Sequence, residues 1–182
     1  MRAFLAVKIN SNIQTELARV QKELQKQIKT AVWVKPANTH LTLAFFENIS
    51  ESQIKFIQKA SQSVCPCYSP FDLHLGSLNA FPHLEKAQIL YLALAGESKK
   101  IAKLTQRLRQ NLDRYHLPFD HQPFVPHLTL GRLKRPLNLT RLQIVTRPLV
   151  LPVIHLELLE SRLSSSSPIY HTLIVFFLHQ RI

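Results

Sequence analysis

His40–Leu43 and His127–Leu130 spell the same tetrad, HLTL, within the stretches THLTLAFF and PHLTLGRL, one in each half of the chain. A strand sends residues i and i+2 to the same face. Each tetrad therefore pairs an imidazole with a hydroxyl, His40 with Thr42 and His127 with Thr129, and turns its leucines the other way, toward a core. One such pair on a solvent-facing strand is ordinary. Two pairs at matching points of a repeated architecture imply a cleft that needs both.

The repeat extends outward from the tetrads. Ala3–Ile9 is a short apolar run suited to a buried strand, Asn10 and Ser11 offer N-cap chemistry, and Ile13, Leu17, Val20, Leu24 and Ile28 recur at helical steps. Trp33 and Val34 form a short strand before a turn at Pro36–Thr39, and His40–Phe46 follows as a strand. A second helix runs over Glu51–Val64 until PCYSP breaks it, and Phe71, Leu73 and Leu75 then alternate with Asp72, His74 and Gly76 as a strand does. The second half keeps this order. Gln88–Ala95 reads as a strand, Glu97 and Ser98 open a helix carrying Ile101, Leu104, Leu108 and Leu112, and the loop from Pro118 to Pro126 leads into His127–Leu130. A shorter helix over Asn138–Thr146 and strands near Val153–Leu159 and Ile169–Leu178 complete the expectation.

Alternating strands and helices also suit a parallel, doubly wound sheet. With 3 glycines in the chain and no Gly-rich strand-to-helix turn, a dinucleotide cradle of that kind is disfavoured. The expected fold class is α+β: a bilobal, pseudo-twofold duplication in which two antiparallel sheets line a central cleft with helices outside. Residues 1–182 are expected to form a single domain of two intimately packed lobes.

Composition sets the outer limits. A 46% hydrophobic and 19% charged chain can bury a core, which argues against disorder. The 23 Lys and Arg against 11 Asp and Glu leave a net charge of +12, a surface that favours polyanions. Cys65 and Cys67, separated by one proline, are too few and too close for a disulfide framework and read as reduced thiols. The apolar run in MRAFLAVKIN is shorter than a signal peptide requires, and no stretch approaches the ~20 apolar residues of a membrane span. A cytoplasmic location without a membrane partner is expected.

Two histidines facing one ligand raise metal binding first. A zinc site takes three or four protein ligands, and these strands supply threonine where a carboxylate or thiolate is needed. Neither a metal nor a cofactor is expected. Acid–base catalysis suits the pair better, because one imidazole can be protonated as a general acid while the other is neutral as a general base. The two hydroxyls can donate to non-bridging phosphate oxygens as charge develops on them. Together these groups describe an in-line displacement at phosphorus.

These residues resemble the 2H phosphoesterase superfamily, defined by two His-x-Thr-x motifs, and specifically its RNA 2′,3′-cyclic phosphodiesterases, also called 2′-5′ RNA ligases. RAFLAVKI, WVKPANTHLTLAFFENI, LGSLNAFP, FVPHLTLGRL and LLESRLSSSSPIYHTL look like the family's landmarks in their usual order, over nearly the whole chain. The resemblance implies metal-independent opening of an RNA 2′,3′-cyclic phosphate to a 2′-phosphomonoester, with reversible 2′-5′ ligation in some members. Carried onto this chain, it makes His40 the proton donor to the departing 3′ oxygen and His127 the acceptor that activates water, with Thr42 and Thr129 holding the phosphate. Arg132 stands where relatives often carry an arginine for phosphate charge, whereas the first tetrad has Phe45 at the matching place. Because Arg132 is an odd number of residues from His127, a bulge or turn at Gly131 is required to aim it inward.

The implied partner is an RNA or nucleotide ending in a 2′,3′-cyclic phosphate, and the expected state is a monomer. Two rival readings stay open: a cyclic phosphodiesterase of small nucleotides such as ADP-ribose cyclic phosphate, and an RNA-binding protein that uses a basic cleft without turnover. The serine-rich LSSSSPIY segment departs from the glycine-containing loops common in relatives. The remaining seven histidines, His74, His83 and His171 among them, are expected to be ordinary surface or strand residues, and Phe119 and Phe124 to belong to the core.

Overall fold

The computed structural model describes residues 1–164 and 167–179, so Ser165 and Ser166 of the serine-rich loop lie outside the described residues. Among the described residues three α-helices, α1 (Ser11–Gln27), α2 (Glu51–Gln62) and α3 (Ser98–Arg114), accompany nine strands. The strands are β1 (Ala3–Lys8), β2 (Ala31–Trp33), β3 (His40–Phe46), β4 (Phe71–Phe81), β5 (Ala87–Gly96), β6 (His127–Leu137), β7 (Val150–Val153), β8 (His155–Arg162) and β9 (Ile169–Phe177).

All strand pairs are antiparallel and form two sheets, ordered β3-β1-β8-β9 and β2-β6-β5-β4-β7. Without the edge strand β2 the two orders correspond one to one, with β3 matching β6 and β1 matching β5. The expected α+β duplication is thus present, and α1 and α3, its matching helices, are both 17 residues long. The halves nevertheless exchange elements. β4 from the first half joins the second sheet, while β8 and β9 from the second half join the first.

The helices cross over as well. Asn10 caps α1 by accepting from the Ile13 amide at 3.0 Å, and Ser50 and Gln53 close a capping box on α2. α1 then packs behind the second sheet: the Gln21 side chain donates to the Leu130 carbonyl of β6, and Glu16 accepts from the Arg147 amide. α3 packs behind the first, where Arg109 donates to the Leu43 carbonyl of β3. One continuous buried cluster, with Leu5, Leu17, Leu41, Leu92, Leu104, Leu128 and Leu158 among its members, runs through both halves.

The helix expected over Asn138–Thr146 does not form. Past a turn at Thr140–Arg141 the segment is irregular and lies along the edge of β4, where Thr146 Oγ1 donates to the Gly76 carbonyl at 2.9 Å and the Leu75 amide donates to Leu149. Arg19 donates to the Val145 carbonyl and Glu16 accepts from the Arg147 amide, so backbone groups that a helix would bond internally are taken by α1. The β-branched residues Ile144, Val145 and Thr146 also suit an extended chain better than a helix.

The other expected elements are present, but β4 and β6 run well past their expected ends, to Phe81 and Leu137, and the strand expected near Val153–Leu159 is divided at Ile154 between β7 and β8, which lie in different sheets. Cys65 is buried and Cys67 exposed, both as free thiols. Among the described residues no helix is long and apolar enough to cross a membrane. Gly96 ends β5 at φ +79°, with the space for a Cβ filled by His74 Cδ2 at 2.5 Å. Gly96→Ala is expected to lower stability by about 1–2 kcal/mol or more, read as a lower midpoint in urea.

Candidate active site

The two tetrads begin the matched strands β3 and β6, and both strands carry a bulge at the same point. Across β1, Leu5 faces Ala44 and Ala6 faces Thr42; across β5, Leu90 faces Gly131 and Tyr91 faces Thr129. One residue, Leu43 or Leu130, is thereby left over in each strand, and the side-chain alternation slips by one. The burial pattern follows. Leu41, Leu43 and then Ala44 and Phe46 are buried in β3, as are Leu128, Leu130 and then Gly131 and Leu133 in β6. Phe45 and Arg132 consequently share a face with their histidines, and the bulge required for Arg132 lies at Leu130–Gly131.

Side chains from the opposite half hold the carbonyls at these bulges. Gln21 Nε2 of α1 donates to the Leu130 carbonyl at 2.9 Å and to the Val34 carbonyl at 2.6 Å. Arg109 of α3 donates through Nε to the Leu43 carbonyl at 2.9 Å and through Nη1 to the Gln122 carbonyl at 2.6 Å. Phe119 and Phe124 lie under the Arg109 guanidinium at 5.9 and 5.8 Å; Phe119 belongs to the core as expected, whereas Phe124 is half-buried and packs against it. Gln21→Leu removes the side-chain donor from the Val34 carbonyl and one of the two donors of the Leu130 carbonyl, which keeps the Val34 amide, and is expected to cost about 1–3 kcal/mol in urea unfolding.

His40, Thr42, Thr129 and Arg132 line one cavity of about 450 Å³, together with Arg2, Phe45, Trp33 and Tyr170. His127 is not among the residues that line it, but lies near enough to His40 for its charge to help lower the His40 imidazole. The two imidazoles are set in the same way. His40 Nδ1 lies 2.8 Å from the Asn38 carbonyl and His127 Nδ1 lies 2.6 Å from the Val125 carbonyl, each two residues earlier in the chain. A carbonyl can only accept, so Nδ1 carries the proton in both rings and Nε2 is the nitrogen left for chemistry.

Aromatic rings enclose both histidines. His40 stacks on Phe4 at 4.3 Å with Tyr170 edge-on at 5.4 Å, and His127 meets Phe81 at 5.1 Å and Tyr91 at 5.2 Å. Burial against these rings is the main cause that lowers both imidazoles. His40 falls to about 4, with His127 adding to the effect, and His127 is pushed below its usual range with Arg132 adding to it.

Sequence reasoning did not find Gln21, Arg109, Phe4, Tyr91 or Arg2. Gln21 and Arg109 look like any polar residue on an amphipathic helix. Tyr91 faces Thr129 across the β5–β6 pair and Phe4 faces Phe45 across the β1–β3 pair, relations set by strand register rather than by neighbours in the sequence. Arg2 lies over the Phe45 ring at 5.2 Å and 3.6 Å from Glu47, so a guanidinium reaches the cavity beside the first tetrad although Phe45 occupies the place of Arg132.

The fold and the paired His-x-Thr strands define a class of α+β proteins duplicated around a two-histidine cleft. The family profile of the 2′-5′ RNA ligase superfamily matches residues 11–164, and the chain belongs to that superfamily. It is 27% identical to the RNA 2′,3′-cyclic phosphodiesterase of Methanothermobacter thermautotrophicus, over 97% of this chain and 98% of that protein. It is 27% identical to the protein of the same name from Aquifex aeolicus, over 98% and 97%. Among solved structures, TT0787 of Thermus thermophilus superposes with a TM-score of 0.83 at 26% identity, covering 98% of each chain. E. coli LigT complexed with NADP+ has the same fold, with a TM-score of 0.77 at 21% identity over 98% of each chain.

Proposed function

We propose that this protein hydrolyses the 2′,3′-cyclic phosphate at an RNA end to a 2′-phosphomonoester, by acid–base catalysis between His40 and His127 and without a metal. The observation that carries the reading is the symmetric setting of the two histidines, each with Nδ1 tied to the carbonyl two residues back and each with a threonine beside it on the same face of the strand. His127 Nε2 takes a proton from water, the oxygen attacks phosphorus in line, and the bond to the 3′ oxygen breaks as protonated His40 delivers a proton to it. The ring exists only where there is a 2′ oxygen, which selects RNA over DNA.

Thr42 and Thr129 hydroxyls donate to the non-bridging oxygens, and Arg132, with Arg2 on the opposite lobe, supplies positive charge for the phosphate. An RNA 5′-hydroxyl in the place of the water forms a 2′-5′ bond by the same steps, which accounts for ligation as a side of the same chemistry. The reading takes residues 1–182 as one catalytic domain, supported by the continuous core, acting as a monomer in the cytoplasm.

A 2′,3′-cyclic-phosphate-ended oligonucleotide incubated with the protein in EDTA is expected to yield a 2′-phosphate, seen by its resistance to a 3′-specific phosphatase. Unchanged substrate, or turnover restored only by added metal, sinks the reading. Turnover of a cyclic mononucleotide but not of an RNA end assigns the cleft to small nucleotides instead.

The pH dependence is specific. In the free protein both imidazoles titrate below 6.5, and the acid must be charged, so kcat/KM falls as pH rises above 6.5. A bound phosphate anion favours the charged imidazole and raises both values. The alkaline limb of kcat is therefore expected at higher pH than that of kcat/KM, measured on a cyclic mononucleotide; coincident limbs contradict the assignment.

A further inference from the structure

α1 and α3 are equal in length and correspond in the duplication, yet their outer faces differ. On α1 the buried Glu16 pairs with Arg19 at 2.6 Å and Glu23 with Lys26 at 2.8 Å, which leaves Lys22 as the one exposed cation of the helix with no ion pair among the described residues. On α3 the exposed residues Lys99, Lys103, Arg107 and Arg114 form no ion pair among the described residues, and they lie on one side of the helix with Gln106 and Gln110 between them. Steps of four residues set the first three cations about 6 Å apart, and the stripe extends over about 22 Å. Like charges at i and i+4 destabilise a helix. α1, with one such cation against four on α3, shows that a solvated face of this fold does not require the arrangement.

The stripe ends at an exposed aromatic pair. Phe56 of α2 and Tyr115 are 41% and 40% exposed and their ring centroids lie 5.5 Å apart, with Lys59 Nζ 5.9 Å from the Phe56 ring. Beside them Ser63, Arg107, Asn111, Arg114 and Tyr115 line a concavity of about 480 Å³. Cations spaced along a track, with aromatic faces at one end, are the parts of a single-strand site: the charges follow the phosphates and the rings stack on bases.

We propose that the outer face of α3, ending at Phe56 and Tyr115, is a second RNA-binding surface, which holds the single-stranded body of the RNA whose cyclic-phosphate end occupies the cleft. The proposal rests on the hydrolase reading above. The face lies behind the first sheet, with Ile101, Leu104, Leu108 and Leu112 turned into the core, so the strand must pass around the edge of the lobe to reach it. Short substrates never touch it.

The test compares the unmodified protein with a variant carrying Lys99→Gln, Lys103→Gln, Arg107→Gln and Arg114→Gln, all at exposed positions where glutamine keeps the helix. The substrates are a 2′,3′-cyclic mononucleotide and an unstructured RNA of about 30 nucleotides with the same end, long enough for more than one single-strand site. The variant is expected to keep kcat and KM for the mononucleotide and kcat for the RNA, while KM for the RNA rises at least about tenfold and its salt slope falls by roughly 3, about 0.7 for each phosphate no longer neutralised. Phe56→Ala is expected to raise the RNA KM alone, without changing the salt slope.

An RNA KM and salt slope equal to those of the unmodified protein overturn the proposal. So does equal loss on both substrates, which would place the effect in the cleft or the fold. A loss of binding to anionic vesicles with the RNA KM unchanged overturns it in favour of a membrane surface. Failure of the unmodified protein to turn over either substrate is a different result, and removes the hydrolase reading itself.

Discussion

Alanine in place of His40 or His127 is expected to lower kcat/KM for a 2′,3′-cyclic mononucleotide by about 10²- to 10⁴-fold for each residue. The loss in the double variant should be far smaller than the product of the two single losses, because proton donor and acceptor act in one transition state. The pH profiles should separate the roles: the variant lacking the base loses the acid limb of the bell, and the variant lacking the acid loses the alkaline limb. His40 is packed against Phe4 and Tyr170, so its removal also opens space in the lobe wall. An unfolding midpoint measured on the same sample separates a loss of chemistry from a loss of fold. Activity that survives both substitutions overturns the acid–base assignment and leaves the cleft as a binding site.

Phe46→Ala and Phe45→Ala, one residue apart in β3, should behave as different kinds of mutation. Phe46 is fully buried, with the Phe119 ring 6.5 Å away, and its truncation is expected to cost about 3–5 kcal/mol in urea unfolding, with a lower midpoint and an unchanged m value. Phe45 lines the cleft under the Arg2 guanidinium. Its truncation should cost much less stability and appear mainly as a raised KM. The bulge at Leu43–Ala44 is what separates the two residues in this way. Equal destabilisation by both substitutions would show that the slip in alternation is not present in solution.

Much of this site is legible in the sequence alone. The spacing of two polar residues within HLTL already sets an imidazole and a hydroxyl on one face, since the strand period of two is a property of the backbone. The need for a bulge near Gly131 follows from parity. The helix over Asn138–Thr146 fails for a reason outside its own residues: Glu16, Arg19 and the edge of β4 take its backbone groups, and those partners are over a hundred residues earlier or across a sheet.

By itself the sequence determined the strands and helices with strong local periodicity, the duplication, and the identity of the four residues in the tetrads, all of which depend on neighbours a few positions apart. Only the tertiary structure decided that the halves exchange strands and helices, so that Gln21 from the first half holds Leu130 and Arg109 from the second holds Leu43. It likewise decided the aromatic enclosure that lowers both histidines. Desolvation depends on what surrounds a side chain in space, and those rings come from strands far apart in the chain.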